Sequence, residues 1–491
     1  MTVEPIMRME PTVSVAPMRD LARRAGGHWA TRSLPVRGAV LRAAARELAM
    51  DEGLVQTVAS AGDRPLHEIW SAEILPTIDA LRWLGGSGVA ALRPRRLPGS
   101  RLQWYFHSAR HELRWDPLGV IGVVSPATSP VFLPVSQVAG ALLGGNAVLW
   151  KPAPGGTDVA FAVLEIFLRS GLPSEVLQIV PGGAEAARAV VRAGIDKLLF
   201  TGSANAGLAL YRLQAETGRP AVLELSGQHT AIVLADAPLG QTARGLVWAK
   251  LANGGRHCVS PQLVLVERAL APGLTLALAE ALVSAEPTAS PVVEESARRL
   301  RSLVADAVAR GGRVVHGGPA GGLPALVADV RPGMRVVDEE VQGAVLAVAA
   351  VDGAEQAVDW INGSACRLSA SVWAGDVARA RRLAAGLDVG QVWINDALHP
   401  AAQPAAPLAG RGRSGFGASR GWPGLLEMVQ PKVISVMPRW APRPHYDRPR
   451  PATMSLFAAT ARLAAARGWR PRLGAALALL RAGGALMGRG R

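Results

Sequence analysis

This chain is poor in cysteine, lysine and aromatic residues. It carries two cysteines and four lysines in 491 residues, and only 5% of it is aromatic. Two cysteines build no disulfide framework, which points to a reducing compartment. The HExxH and CxxC spacings of common zinc sites are absent. His107 and His111 lie four apart in a stretch that reads as a polar hairpin, where that spacing separates them, so no metal site is expected. The start, Met1-Thr-Val-Glu-Pro5, has neither a basic nor an apolar leader region. No secretory signal is read there, and a cytoplasmic protein is expected. The longest uncharged stretch, Pro117 to Trp150, is interrupted by Pro, Ser, Gln, Asn and a Gly pair; it reads as buried core rather than a membrane span.

Acid is scarce at one end. Residues 441–491 hold ten arginines and one acid, Asp447, so +9 of the net charge of +15 belongs to this tail. The body is only mildly basic, and no nucleic-acid module is visible, so no specific nucleic-acid contact is expected. Short helices over 455–467 and 473–481 would set Phe457, Trp469 and leucines against arginines. Such helices lie on anionic membrane surfaces, so the tail is either a peripheral membrane contact or a solvated basic extension.

What is plentiful is Ala, Gly, Val and Leu, in a chain long enough for two or three domains. Residues 20–95 show helical spacing. From Gly119 the texture alternates: strands at 119–125, 147–150, 176–180 and 197–200, helices at 132–143, 160–168 and 185–193. This alternation marks an α/β protein with a doubly wound parallel sheet. The last of these strands runs into Thr201-Gly202-Ser203, then Gly207 and a helix from about Leu208, a turn whose free amides suit a phosphate. A second α/β segment runs from Thr230 to about residue 400.

Two residues stand out as reactive. Cys258 follows Asn253-Gly-Gly-Arg-His, a flexible polar approach to a lone thiol, and Glu224 sits in the apolar run Leu223-Glu-Leu225 ahead of Gly227. A thiol and a carboxylate are the parts of covalent catalysis followed by hydrolysis. Lys151, kept in a chain that otherwise uses arginine, suggests a place that needs a compact ammonium. Cys366 has no such setting and reads as structural.

From about residue 30 to 436 the chain resembles the aldehyde dehydrogenase superfamily. The resemblance rests on Pro117–Pro126, Gly144–Pro152, Phe200–Ser203, Leu223–Gly227, Asn253–Cys258, Glu339–Gly343 and Pro407–Gly417, in family order. The stretches 394–404 and Lys432-Val433 look most like the branch handling long-chain and aromatic aldehydes. The resemblance implies a Rossmann-type nucleotide-binding domain (20–98 and 118–225) and an α/β catalytic domain (226–400). It also implies a β-arm for oligomerisation with a C-terminal motif (99–117 and 401–440), followed by the tail (441–491). It implies Cys258 as nucleophile, Glu224 as general base, and Lys151, Gly202, Ser203 and Glu340 as ligands of NAD or NADP. A homodimer or homotetramer oxidising an aldehyde to a carboxylic acid is the expectation.

The chain departs from the family pattern in places. Thr128 stands where an oxyanion-hole Asn is usual, which implies slow catalysis or another donor. Pro154 replaces the acid that follows the lysine, which leaves NADP tolerated. Gln342-Gly-Ala344 and Ser226-Gly-Gln228 also differ. The alternative reading is therefore a catalytically weak or inactive scaffold that keeps the fold.

Overall fold

Val120–Val124 reads Val-Ile-Gly-Val-Val, and every residue in it is buried. A strand apolar on both faces needs cover on both sides, which parallel α/β sheets provide. It lies at the centre of a six-stranded sheet in a computed structural model. The structure describes residues 14–62, 64–98, 108–225, 227–285, 294–318, 322–441, 446 and 451–487. The sheet runs Leu177–Ile179, Ala147–Lys151, Val120–Val124, Lys197–Thr201, Ala221–Glu224, all parallel, and ends on the short antiparallel strand Gly415–Phe416. Strand order reverses between Val120–Val124 and Lys197–Thr201. The crevice beyond the carboxyl ends at such a reversal is where doubly wound sheets bind ligands.

Helices cover this sheet. Phe132–Gly144 is buried along nearly its whole length, and the indole of Trp29 in the helix Val15–Ala30 donates to Leu142 O at 2.8 Å. Asn146, fully buried, accepts from the amides of Leu118 (2.7 Å) and Gly119 (3.0 Å) and donates to Ala141 O (3.0 Å) and Met428 O (2.7 Å). One side chain thus satisfies four backbone groups where the helix turns into Ala147–Lys151. The helix after the glycine turn begins at Ala204 rather than near 208, because Ser203 caps it by accepting from Ala206 N.

A seven-stranded sheet follows in the order Arg313–Gly318, Gly322–Ala328, Val345–Val351, Pro261–Glu267, His229–Val233, Ser369–Trp373, Gln391–Ile394. Only its first pair is antiparallel. Separate apolar clusters line its two faces.

The chain divides into two units, Met1–Leu92 with Asp116–Gln430, and Arg93–Trp115 with Pro431–Arg491. Residues 401–430 lie with the first unit, where Gly415–Phe416 pairs with Leu223 and Glu224. The second unit holds most of the three-stranded sheet of Arg95–Leu97, Arg110–Pro117 and Val429–Val436, with His111 Nδ1 2.8 Å from Ser435 Oγ. It also holds two helices, Pro451–Ala465 and Trp469–Met487. The rest of the expected hairpin, 99–107 with His107, lies outside the described residues. Among the described residues no group of His, Cys, Asp and Glu could hold a metal, and no helix is long and apolar enough to cross a membrane.

Candidate active site

The thiol loop is built from left-handed backbone. Asn253, Gly254 and Gly255 have φ of 50°, 60° and 75°, a sequence of angles that side chains other than Asn and Gly resist. Gly255 also has no room for a Cβ, which would collide with the Gly343 carbonyl. The Asn253 amide donates to Thr128 O at 2.6 Å, and Arg256 bonds Asn253 through Nε (3.0 Å, to its carbonyl) and Nη2 (2.9 Å, to Oδ1). The loop that carries Cys258 is thus tied to the 125–131 loop at the end of the first strand. Gly227 packs so tightly on it that a Cβ there would strike the Cys258 carbonyl oxygen.

Glu224 is buried at the end of Ala221–Glu224, level with Thr201 on the neighbouring strand. The Thr201 hydroxyl donates to its Oε2 at 2.8 Å, the Gln137 amide donates to the same oxygen at 3.3 Å, and the Ser419 hydroxyl donates to Oε1. All three donors are neutral. Burial lifts this carboxyl above the usual carboxylate range, while the Ser419 hydrogen bond, the charge of Arg420 and the Thr201 hydrogen bond pull it back.

Cys258 lines a cavity of about 710 Å³ together with Phe132, Leu133, Val247, Trp248, Leu251 and others. Burial pushes its thiol up to about 12; the charges of Glu224 and Glu340 push the same way, and Arg420 opposes them. Its neighbour His257, on the same cavity wall, is pushed down to about 3 by burial and by the charges of Arg64 and Arg256, and so stays neutral. Arg420 has φ +62°, sits with its guanidinium 5.1 Å from the centre of the Phe132 ring, and bonds Ala401 O. Its Nε is sealed from solvent and has no hydrogen-bond partner among the described residues. Arg420 also lines the cavity.

The remaining candidates fall as follows. Gly202 N donates to Glu224 O at 3.0 Å, and Gly202-Ser203 opens the helix Ala204–Glu216 at the point of strand reversal. Lys151 is buried at the end of its strand, where its carbonyl accepts from Ser125 N. Glu340 bonds the Gln342 amide at 3.0 Å and lies close enough to influence both thiols. Thr128 contributes its carbonyl to Asn253 but is not part of the cavity wall; Ser129 is. Cys366 lies on a two-stranded ribbon, its thiol pushed up mainly by burial. Lys151 and the Gly202-Ser203 turn both lie at the carboxyl ends of strands of one sheet, on either side of Val120–Val124, an arrangement that suits a dinucleotide laid across the switch point.

Sequence reasoning missed Gln137, Ser419 and Arg420. It also missed Glu73, which is buried and paired with Arg64 at 2.9 Å. Glu73 accepts from Ser129 Oγ (3.0 Å), Val131 N (3.2 Å) and Phe132 N (2.9 Å) and so fixes the 125–131 loop. The only signal for Ser419 and Arg420 was the glycine-rich run around 410–421; no local pattern marks the other two.

A sequence model described as the aldehyde dehydrogenase family matches residues 10–434. The 4,4'-diapolycopene aldehyde oxidase of a Methylomonas species is 32% identical over 425 residues, covering 84% of this chain and 79% of that protein. The crystal structure of a Mycobacterium tuberculosis aldehyde dehydrogenase complexed with NAD+ matches with TM-score 0.79 at 29% identity, over 86% of this chain and 89% of that one. An NADP-dependent glyceraldehyde-3-phosphate dehydrogenase from Bacillus halodurans C-125, complexed with NADP, matches with TM-score 0.79 at 29% identity, over 86% and 90%.

Proposed function

The chain belongs to the aldehyde dehydrogenase family, and on that footing we propose that Cys258 and Glu224 carry out NAD(P)-dependent oxidation of an apolar aldehyde to its carboxylic acid. The observation that carries this reading is the placement of the Cys258 thiol on an apolar cavity within the electrostatic reach of a buried carboxylate held by neutral donors. When bound, the dinucleotide supplies the hydride acceptor; Lys151, Gly202, Ser203 and Glu340 are the residues that would hold it. The Cys258 thiolate adds to the aldehyde carbon and leaves an oxyanion on the former carbonyl oxygen. Loss of hydride from that carbon leaves a thioester on Cys258. Glu224 takes a proton from water, the water adds to the thioester carbon, and the acid leaves with the thiol restored. A raised carboxyl suits that base, and Thr201, Gln137 and Ser419 hold it in place without a paired cation to fix it as an anion.

Thr128 stands where the family resemblance expects an oxyanion donor, but it is not part of the cavity wall. Arg420 compensates: its charge, already felt by Cys258, steadies the negative charge on sulfur and on the substrate oxygen. Arg420→Gln is then expected to lose about 10²–10³ in kcat/KM and to move the pH profile of Cys258 alkylation by iodoacetamide upward, with Arg420→Lys in between. An unchanged alkylation profile would remove this role. Thr128→Asn is expected to raise turnover.

The substrate reading follows from the cavity wall, where Phe132, Leu133, Val247, Trp248, Leu251 and Leu408 predominate, and from a relative named for a carotenoid aldehyde. Pro154 in place of an acid leaves a 2′-phosphate unrepelled, which favours tolerance of NADP. A homodimer or homotetramer and a peripheral membrane contact of the tail complete the proposal. One observation favours a weak or inactive scaffold instead: the thiol pushed up to about 12. Formation of reduced cofactor with a panel of aldehydes separates the two. Long-chain and polyene aldehydes should turn over with a lower KM than acetaldehyde, and Cys258→Ser should abolish the signal; silence across the panel favours the scaffold.

A further inference from the structure

The helix Trp469–Met487 has three faces. At about 100° per residue, Ala475 and Ala482 lie together, and both are buried in a helix pair with Pro451–Ala465, whose Leu456 and Ala459 are buried too. On the opposite side Trp469, Leu473, Leu477 and Leu480 fall within about 80° of arc and are 70%, 54%, 46% and 71% exposed. Arg470 and Arg481 border that stripe on one edge and Arg472 on the other, and all three are exposed. No acid occurs anywhere from Arg448 to Arg491. An uncovered apolar stripe of this kind costs solubility unless something covers it.

We propose that this helix pair is a docking surface for an anionic lipid bilayer, lying in the interface with Trp469, Leu473, Leu477 and Leu480 inserted and Arg470, Arg472 and Arg481 against the lipid headgroups. The chemistry matches on three counts. Tryptophan and leucine at the boundary with arginine on both flanks are the pattern of helices that lie in the headgroup layer. Each arginine near an anionic surface strengthens binding about fivefold. The helix, 19 residues long and carrying three arginines, is not apolar enough to cross, so it rests on the surface. The family match ends at residue 434, so the surface belongs to a part of this chain outside the dehydrogenase core. Its purpose rests on the apolar-aldehyde reading above: a membrane is where such a substrate dissolves.

The test uses the full chain and vesicle co-sedimentation, which needs no turnover and so fails or succeeds independently of the dehydrogenase reading. Wild type is expected to pellet with vesicles of phosphatidylcholine and phosphatidylglycerol at moderate salt, weakly with phosphatidylcholine alone, and less as salt rises. Replacing Arg470, Arg472 and Arg481 by Gln should weaken binding about a hundredfold. Replacing Trp469, Leu473, Leu477 and Leu480 by Gln should abolish it even at low salt, while circular dichroism and oxidation of a short water-soluble aldehyde stay unchanged. The proposal is overturned if wild type stays in the supernatant. It is also overturned if the apolar variant pellets as wild type does, or if that variant merely changes oligomer size, which makes the stripe a subunit contact. Tighter binding to RNA than to vesicles, insensitive to the apolar substitutions, overturns it as well.

Discussion

Two glutamates lie at similar depth in this protein and are held by different partners. Glu73 faces a cation, Arg64, and takes three further hydrogen bonds from the loop that starts the helix Phe132–Gly144. Glu224 is held by Thr201, Gln137 and Ser419, all neutral, with Arg420 acting only as a neighbouring charge. A buried carboxylate locked to a guanidinium is a fixed anion that organises backbone. One held by hydroxyl and amide donors keeps the option of exchanging a proton. The side chain is the same, and the partners decide between scaffold and chemistry.

The sharpest way to break the comparison is to neutralise each carboxyl in turn. Glu224→Gln should leave thermal stability near wild type and cut steady-state acid formation by about 10²–10⁴, while about one equivalent of reduced cofactor still forms per Cys258 in a rapid-mixing experiment. Equal loss of burst and steady state would place Glu224 before the thioester instead. Glu73→Gln should do the reverse, costing about 1–3 kcal/mol by denaturant titration because the 125–131 loop loses part of its buried acceptor while Arg64 keeps Glu68, with kcat falling only as far as that loop loosens. A third experiment uses pH. With the thiol pushed up to about 12 and Glu224 raised, kcat/KM should climb with pH from neutral into the alkaline range, since both groups act deprotonated. A flat profile would mean that cofactor binding resets the thiol.

Lys250 is a third member of the set and a smaller effect. It is buried, and its Nζ has no hydrogen-bond partner among the described residues. Burial pushes it down from 10.5 to about 7. The folded value lies below the unfolded one, so the unfolded chain binds the extra proton between them, and stability rises with pH across that window. Lys250→Met should stabilise the protein by about 1–3 kcal/mol at neutral pH and flatten stability from pH 7 to 10.5; unchanged melting at both ends would show that Lys250 has found water.

Much of this was legible along the chain. The strands of residues 119–201 announce themselves as short apolar runs between helical repeats, and the lone thiol after Asn253-Gly-Gly is conspicuous in a chain with two cysteines. The partners of Glu224 were not. Gln137 comes from a helix 87 positions earlier and Ser419 from a loop 195 later, and neither spacing leaves a periodic trace. The same holds for Glu73, which meets the 125–131 loop from the helices near residue 70. Local pattern reports an element's own faces; who stands opposite is a property of the fold.

The short antiparallel strand Gly415–Phe416 has a temporal consequence. A ribosome releases this chain from its amino end, and domains form as they emerge. The nucleotide sheet, the thiol loop and Glu224 are all translated before residue 415 exists. Until that strand zips onto Leu223 and Glu224, Glu224 lacks Ser419 and Cys258 lacks the charge of Arg420. The surroundings of Cys258 and Glu224 are therefore completed only by residues that are among the last of the family-matched stretch to be made.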